Sequence, residues 1–179
     1  MKHVLITAAA VLAGVAQLAL GWRLSVLGAA PDLMFVIAAF VTARLRPGEG
    51  VPVACGIGLL ADFLVGGRLG LMALGYGLGA RVVEGLRPVV APGLERSLFA
   101  RASAAFLLAL AGAAAAHGTA AVLGAMLDAG GLGLAVRAGR AAMIAFLTGI
   151  AAAIFWPTVA AALGWRRAPA RWGGDLMDA

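Results

Sequence analysis

What most constrains this chain is a succession of apolar runs, cut by short turns rich in glycine, proline and arginine, that begins at Val4 and continues almost to the C-terminus. Roughly 20 apolar residues in a helix match the roughly 30 Å of hydrocarbon in a bilayer. Inside hydrocarbon a backbone must satisfy its own N–H and C=O groups, and a helix does so segment by segment. Composition agrees: of 179 residues, 63% are hydrophobic and 12% charged, whereas a soluble domain is about 25% charged. So few charges cannot cover even a small globule. The expected class is an all-α integral membrane protein, one transmembrane domain over 1–179. A soluble enzyme, a disulfide-rich secreted scaffold and a disordered tail are excluded, and the single Cys55 has no intrachain partner.

The first span reads as 4–20, with Lys2 and His3 before it and Trp22 and Arg23 after it. Ala19-Leu20-Gly21 loosely resembles a signal-peptide cleavage site, but the run is long for a signal core. Pro31 and Asp32 open a second helix, 33–45. Proline suits the first turn, where its missing N–H is harmless, and Asp32 faces the positive end of the helix dipole. Pro47-Gly48-Glu49-Gly50 is a turn before a third helix, 52–65. Gly66-Gly67-Arg68 leads into a fourth, 69–86, which Arg87-Pro88 should end. Residues 87–101 are polar enough to hold a short interfacial helix around 94–99. The fifth and sixth spans are 102–127 and 141–163, divided by a glycine-rich loop at 128–133. Pro157 should bend the last, and 164–179 is a polar tail. Helices two and three are short for full spans, leaving open two crossings of a thinned patch or a re-entrant pair. Trp22, Trp165 and Trp172 are placed as interface anchors.

Thirteen of the fourteen basic residues are arginines scattered between apolar runs. The net charge of +6 therefore reads as topology rather than nucleic-acid binding. With both termini inside, ten Lys and Arg fall on the cytoplasmic side and four outside, the asymmetry that the positive-inside rule favours. The inner charges would also attract anionic lipid of the bilayer.

Asp62 is the residue to explain, because it lies within the apolar segment 53–65, and a carboxylate at membrane depth costs at least ~2.5–3.5 kcal/mol. On a helix Gly58, Asp62 and Gly66 share a face, small residues framing the acid where another backbone can approach. One turn before the Gly66-Gly67 break, Asp62 could accept the exposed N–H groups of 69–71 at the start of helix four. The alternative is a ligand, proton or ion site; with no second acid, lysine or histidine in the hairpin, the capping role is preferred. Gly75 and Gly79 have small-xxx-small spacing, suited to packing within the bundle or between protomers of a homo-oligomer. Arg81 and Glu84 can pair at i, i+3. His117 reads as a hydrogen-bonded interior histidine, since a metal needs several ligands and the other histidine is His3. No P-loop, HExxH, GxSxG or CxxC motif occurs. The expectation is a non-enzyme without metal or cofactor.

Pro31-Asp32-Leu33, followed from Ala54 by ACGIGLLADFLVGGRLGLMALGYGLGARVVEGLRP, resembles the rod shape-determining MreD family. The pattern of that family runs Pro-Asp-Leu, a short helix, Gly-x-x-x-Gly-Leu-Leu-x-Asp, a small turn and Leu-Gly-Leu-x-Ala-Leu. Here it falls on Gly56 or Gly58, Leu59, Leu60, Asp62, Gly66, Gly67, Leu69, Gly70, Leu71, Ala73 and Leu74. About a third of the chain carries the resemblance; 100–179 agrees only in length and hydropathy. It implies a six-helix transmembrane bundle similar to the substrate-binding component of energy-coupling-factor transporters. It also implies a place in the bacterial inner membrane and in the cell-elongation machinery. The implied partner is the bitopic protein MreC, and through it RodA, a class B penicillin-binding protein and MreB. A substrate-binding subunit of a vitamin transporter is the alternative, though one Tyr and few buried polar side chains make a poor ligand pocket. A channel built around Asp62 is a third.

Overall fold

The computed structural model describes residues 2–21, 23–65, 69–94, 98–127 and 133–162. Runs of alanine, leucine and valine wind into six helices: α1 (Lys2–Leu20), α2 (Leu33–Thr42), α3 (Gly50–Val65), α4 (Leu71–Leu94), α5 (Leu98–Leu127) and α6 (Leu134–Ala162). No strand occurs among the described residues, only an isolated bridge between Val26 and Ala29. The segments Phe99–Leu127 and Leu134–Trp156 are long and apolar enough to cross a membrane.

The boundaries differ from the sequence reading by two or three residues at the end of α2 (Thr42, not 45) and the starts of α3 (Gly50, not 52) and α4 (Leu71, not 69), and by more at three others. Helix four does not end at Arg87-Pro88 but continues to Leu94. Pro88 removes one N–H from the ladder, and the turn before it is anchored from its side chains. Arg87 Nη1 donates to the Leu45 carbonyl at 2.7 Å, and Glu84 Oε1 accepts the Gly48 N–H at 3.0 Å. Arg81 and Glu84 pair at 3.0 Å, as their spacing allows. Of the short helix expected around 94–99, residues 95–97 lie outside the described residues, Leu94 ends α4, and α5 begins at Leu98 rather than 102. Helix α6 begins at Leu134 rather than 141, its first turn closed by the Val136 and Arg137 N–H groups on the Gly133 carbonyl. Reading spans as uncharged runs excluded Arg137 and Arg140, although arginine is a good helix former. Trp22, Gly66, Gly67, the loop at 128–132, Trp165, Trp172 and the tail lie outside the described residues.

Helix α2 is the centre of the fold. Its ten residues rise about 15 Å and the sixteen of α3 about 24 Å, so α2 and α3 are short, as the sequence implies. Eight of the ten α2 residues are buried, from Met34 to Thr42, and all five other helices touch it. A helix apolar on every side belongs inside, and this one is sheathed by its neighbours.

Glycine sets how closely those neighbours approach. A Cβ on Gly58 would lie 2.6 Å from the Met72 carbonyl oxygen and 2.7 Å from Ala73 Cα, so α3 meets α4 backbone to backbone. Gly75 and Gly79 do the same for α4 and α5, with carbonyls of Ala116 and Gly112 at 2.7 and 2.6 Å from their would-be Cβ atoms. The Phe35 ring fills the slot that Gly79 and Gly112 leave open and meets Tyr76 edge to face at 5.1 Å. Around this core, large apolar side chains such as Phe63, Val89, Phe99, Met126 and Ile154 face outward. Gly58→Val and Gly75→Val should each destabilise by about 1–3 kcal/mol through forced separation of backbones. Gly56→Ala, with open space at its would-be Cβ, should be silent. Thermal melting of the three variants in mild detergent checks this ranking.

Candidate functional site

Three of the five buried polar residues among those described, Asp32, His117 and Thr148, meet at the start of α2, together with the Tyr76 hydroxyl. At the N-cap of α2, Asp32 has extended backbone and its Oδ1 accepts the Phe35 N–H at 3.0 Å. Pairing such a side chain with an orphan N–H is what an N-cap carboxylate does. The neighbouring Met34 N–H reaches Gln17 Oε1 of α1 at 3.3 Å. Asp32 itself is 4% exposed, so its second oxygen also needs donors from the protein. Tyr76 of α4 donates its hydroxyl to Oδ2 at 2.5 Å. His117 of α5 brings Nε2 to 3.0 Å from the same oxygen. That nitrogen is fully buried, and the Asp32 carboxylate is the group it approaches. From α6, Thr148 accepts the Asp32 backbone N–H at 2.9 Å and donates to the Ile144 carbonyl at 2.7 Å.

One residue thus draws side chains from α4, α5 and α6 onto the start of α2. The arrangement holds a carboxylate, a phenol and an imidazole in mutual reach, and it can store a proton or pin four helices. Among the described residues no group of three or more His, Cys, Asp or Glu converges as a metal site. Two concavities lie elsewhere: one of about 440 Å³ along α5 at Ala114, Gly118 and Val122, and one of about 360 Å³ on the seam of α5 and α6, where Ala138 and Ala141 also line it.

The second buried carboxylate, Asp62, is 3% exposed and sits at the end of α3. Its Oδ2 accepts the Gly70 N–H at 2.8 Å and the Ala73 N–H at 3.4 Å, and its Oδ1 accepts the Met72 N–H at 3.1 Å. These donors open α4: Gly70 lies within the 69–71 expected, and Met72 and Ala73 lie one and two residues beyond it. Gly70 adopts φ +92, a left-handed conformation that suits glycine and turns its N–H back toward the acid. In the family-like motif, Leu71 begins α4, Ala73 lies under Gly58, and Leu69 is exposed.

No protein-family model, curated protein or solved structure matches this chain. The site therefore stands on its geometry alone.

Sequence reasoning treated Asp32 as a helix opener and His117 in isolation, and so missed their meeting. It also missed Trp156, which is buried against Phe40 at 4.6 Å with the Arg44 guanidinium 5.5 Å above its ring. The available signal was scarcity. Tyr76, His117 and Thr148 are polar groups inside apolar helices, and buried polar groups must find partners.

Asp62 should follow a cap's order of damage. Asp62→Asn keeps one acceptor oxygen and should cost about 1 kcal/mol, while Asp62→Leu leaves the α4 donors unpaired at about 1–3 kcal/mol. Membrane abundance and detergent melting temperature should therefore fall much further for Leu than for Asn. Equal damage from both would assign Asp62 a charge-dependent role instead.

Proposed function

We propose that this chain is a non-enzymatic membrane scaffold, a six-span bundle of the bacterial inner membrane similar to MreD, serving the machinery that elongates the cell wall. The observation that carries this reading is the use made of the family-like stretch. Residues 31–33 cap and open α2, 54–88 supply most of α3 and α4, and both buried carboxylates of the stretch are engaged by donors of the protein's own helices. Acids consumed in holding helices together suit a subunit whose product is its shape. The outward apolar side chains support a lipid surround, since contiguous apolar patches on a monomer mark a membrane or partner surface. The ten-to-four distribution of basic residues supports cytoplasmic termini.

A bitopic MreC-like protein is the proposed partner, with RodA, a class B penicillin-binding protein and MreB reached through it. The exposed, small-residue seam between α5 and α6 would let a single transmembrane helix approach closely. Depletion in the native bacterium should round rod-shaped cells, and affinity purification of the tagged chain in mild detergent should recover the MreC-like partner. Recovery of an ATPase pair, with loss of uptake of one vitamin and normal shape, would assign the chain to transport instead. Reporter fusions at Lys2 and after Asp178 should both report the cytoplasm; a periplasmic C-terminus would overturn the six-span topology.

A further inference from the structure

Helices α5 and α6 run antiparallel. Gly149 of α6 packs on Phe106 and Leu110 of α5, while Gly118 and Ala121 of α5 share a groove with Ala138 and Ala141 of α6. The same register brings Arg101, near the start of α5, level with Trp156. Arg101 lies two residues inside the apolar crossing segment Phe99–Leu127, and Trp156 ends the segment Leu134–Trp156, so both stand at one membrane face. Trp156 is buried against Phe40, and the Arg44 guanidinium, just past the end of α2, lies 5.5 Å from its ring centroid. Arg101 sits one helical turn before Ala105, which shares an apolar cluster with Phe40 and Trp156. Two arginines of different helices thus stand at the level of one indole, at the depth where hydrocarbon gives way to headgroups.

Arg101 is half-buried, yet its Nε is fully buried and has no acceptor among the described residues. A buried donor left unpaired carries the desolvation cost of that group, so this position calls for an acceptor. The described acids at this end of the bundle are placed otherwise: Glu84 is engaged by Arg81 and the Gly48 N–H, and Glu49 is exposed in its turn. Phe99, two residues before Arg101 and 81% exposed, opens the first turn of α5 to lipid. A guanidinium matches phosphate oxygens with two parallel N–H bonds, and phospholipid phosphates lie at this depth. We propose that Arg101 and Arg44 bind the phosphate of one anionic phospholipid where α2, α5 and α6 meet. Arg101 supplies the buried donor, and the Trp156 ring holds Arg44 beside it. A zwitterionic headgroup would bring an ammonium against two guanidiniums, which selects an anionic one. The site rests on the membrane placement of the chain, which recovery in the membrane fraction checks separately, and is independent of the proposed partner.

Native mass spectrometry of the full chain, delipidated in mild detergent, counts the lipid molecules bound as phosphatidylglycerol or phosphatidylcholine is added. The first phosphatidylglycerol should bind about tenfold or more tighter than phosphatidylcholine. Arg101→Gln should lose about tenfold of that affinity, and Arg101→Lys, which keeps the charge but not the planar fork, should lose part of it. The lysine variant also carries the test if Arg101→Gln does not accumulate. Arg46→Gln removes an equal charge at an exposed position of the same end and should change the affinity by less than about threefold. Inorganic phosphate at the concentration of the lipid should not displace it. Equal binding of the two lipids, full affinity in both Arg101 variants, or equal losses from Arg46→Gln and Arg101→Gln would each overturn the proposal. Displacement by inorganic phosphate at equal concentration would assign the site to a soluble phosphate compound and overturn the lipid.

Discussion

The fold depends on a carboxylate that water does not reach. An uncompensated buried charge costs several kcal/mol, so everything near Asp32 is arranged to compensate it. The first turn of α2 gives an N–H, α4 a phenol, α5 an imidazole, and α6 a hydroxyl for the backbone. These contacts fix the height of α2 relative to three helices at once, which apolar packing alone does loosely, because alanine against alanine fits at several registers. Alanine dominates the buried face of α5, at Ala104, Ala105, Ala109, Ala113, Ala116 and Ala120. The polar cluster supplies the register that such a smooth surface lacks.

Helix α4 is held at both ends by the segments that precede it. Asp62 gathers the N–H groups at its start, while Glu84 and Arg87 near its other end grip the connection between α2 and α3 at Gly48 and Leu45. Between those anchors its glycines admit α3 on one side and α5 on the other. The charged residues of α4 thus serve the turns, and its small residues serve the packing.

Much of this was legible in the sequence, for physical reasons. Long apolar runs announce helices because a helix satisfies its backbone within the segment, and glycine spacing announces close approach. Asp62 could be tied to the start of α4 because cap and capped segment are neighbours in the chain. The Asp32 cluster was hidden because its members lie 44, 85 and 116 positions along the chain from Asp32. No local pattern links residues so far apart. Helix ends were misjudged where charge was taken as a stop signal. Arginine and glutamate continue a helix readily, and at Arg87 the side chain anchors the turn before a proline that a shorter reading would have made terminal.

The separation between Asp32 and Thr148 also sets an order of events during synthesis. Asp32 emerges 116 residues before the hydroxyl that receives its backbone N–H, and its phenol and imidazole partners arrive in between. The carboxylate's own partners, at residues 35, 76 and 117, are all made before then. Thr148 completes the cluster by receiving the backbone N–H, so a chain cut short before residue 148 would leave that N–H without this acceptor.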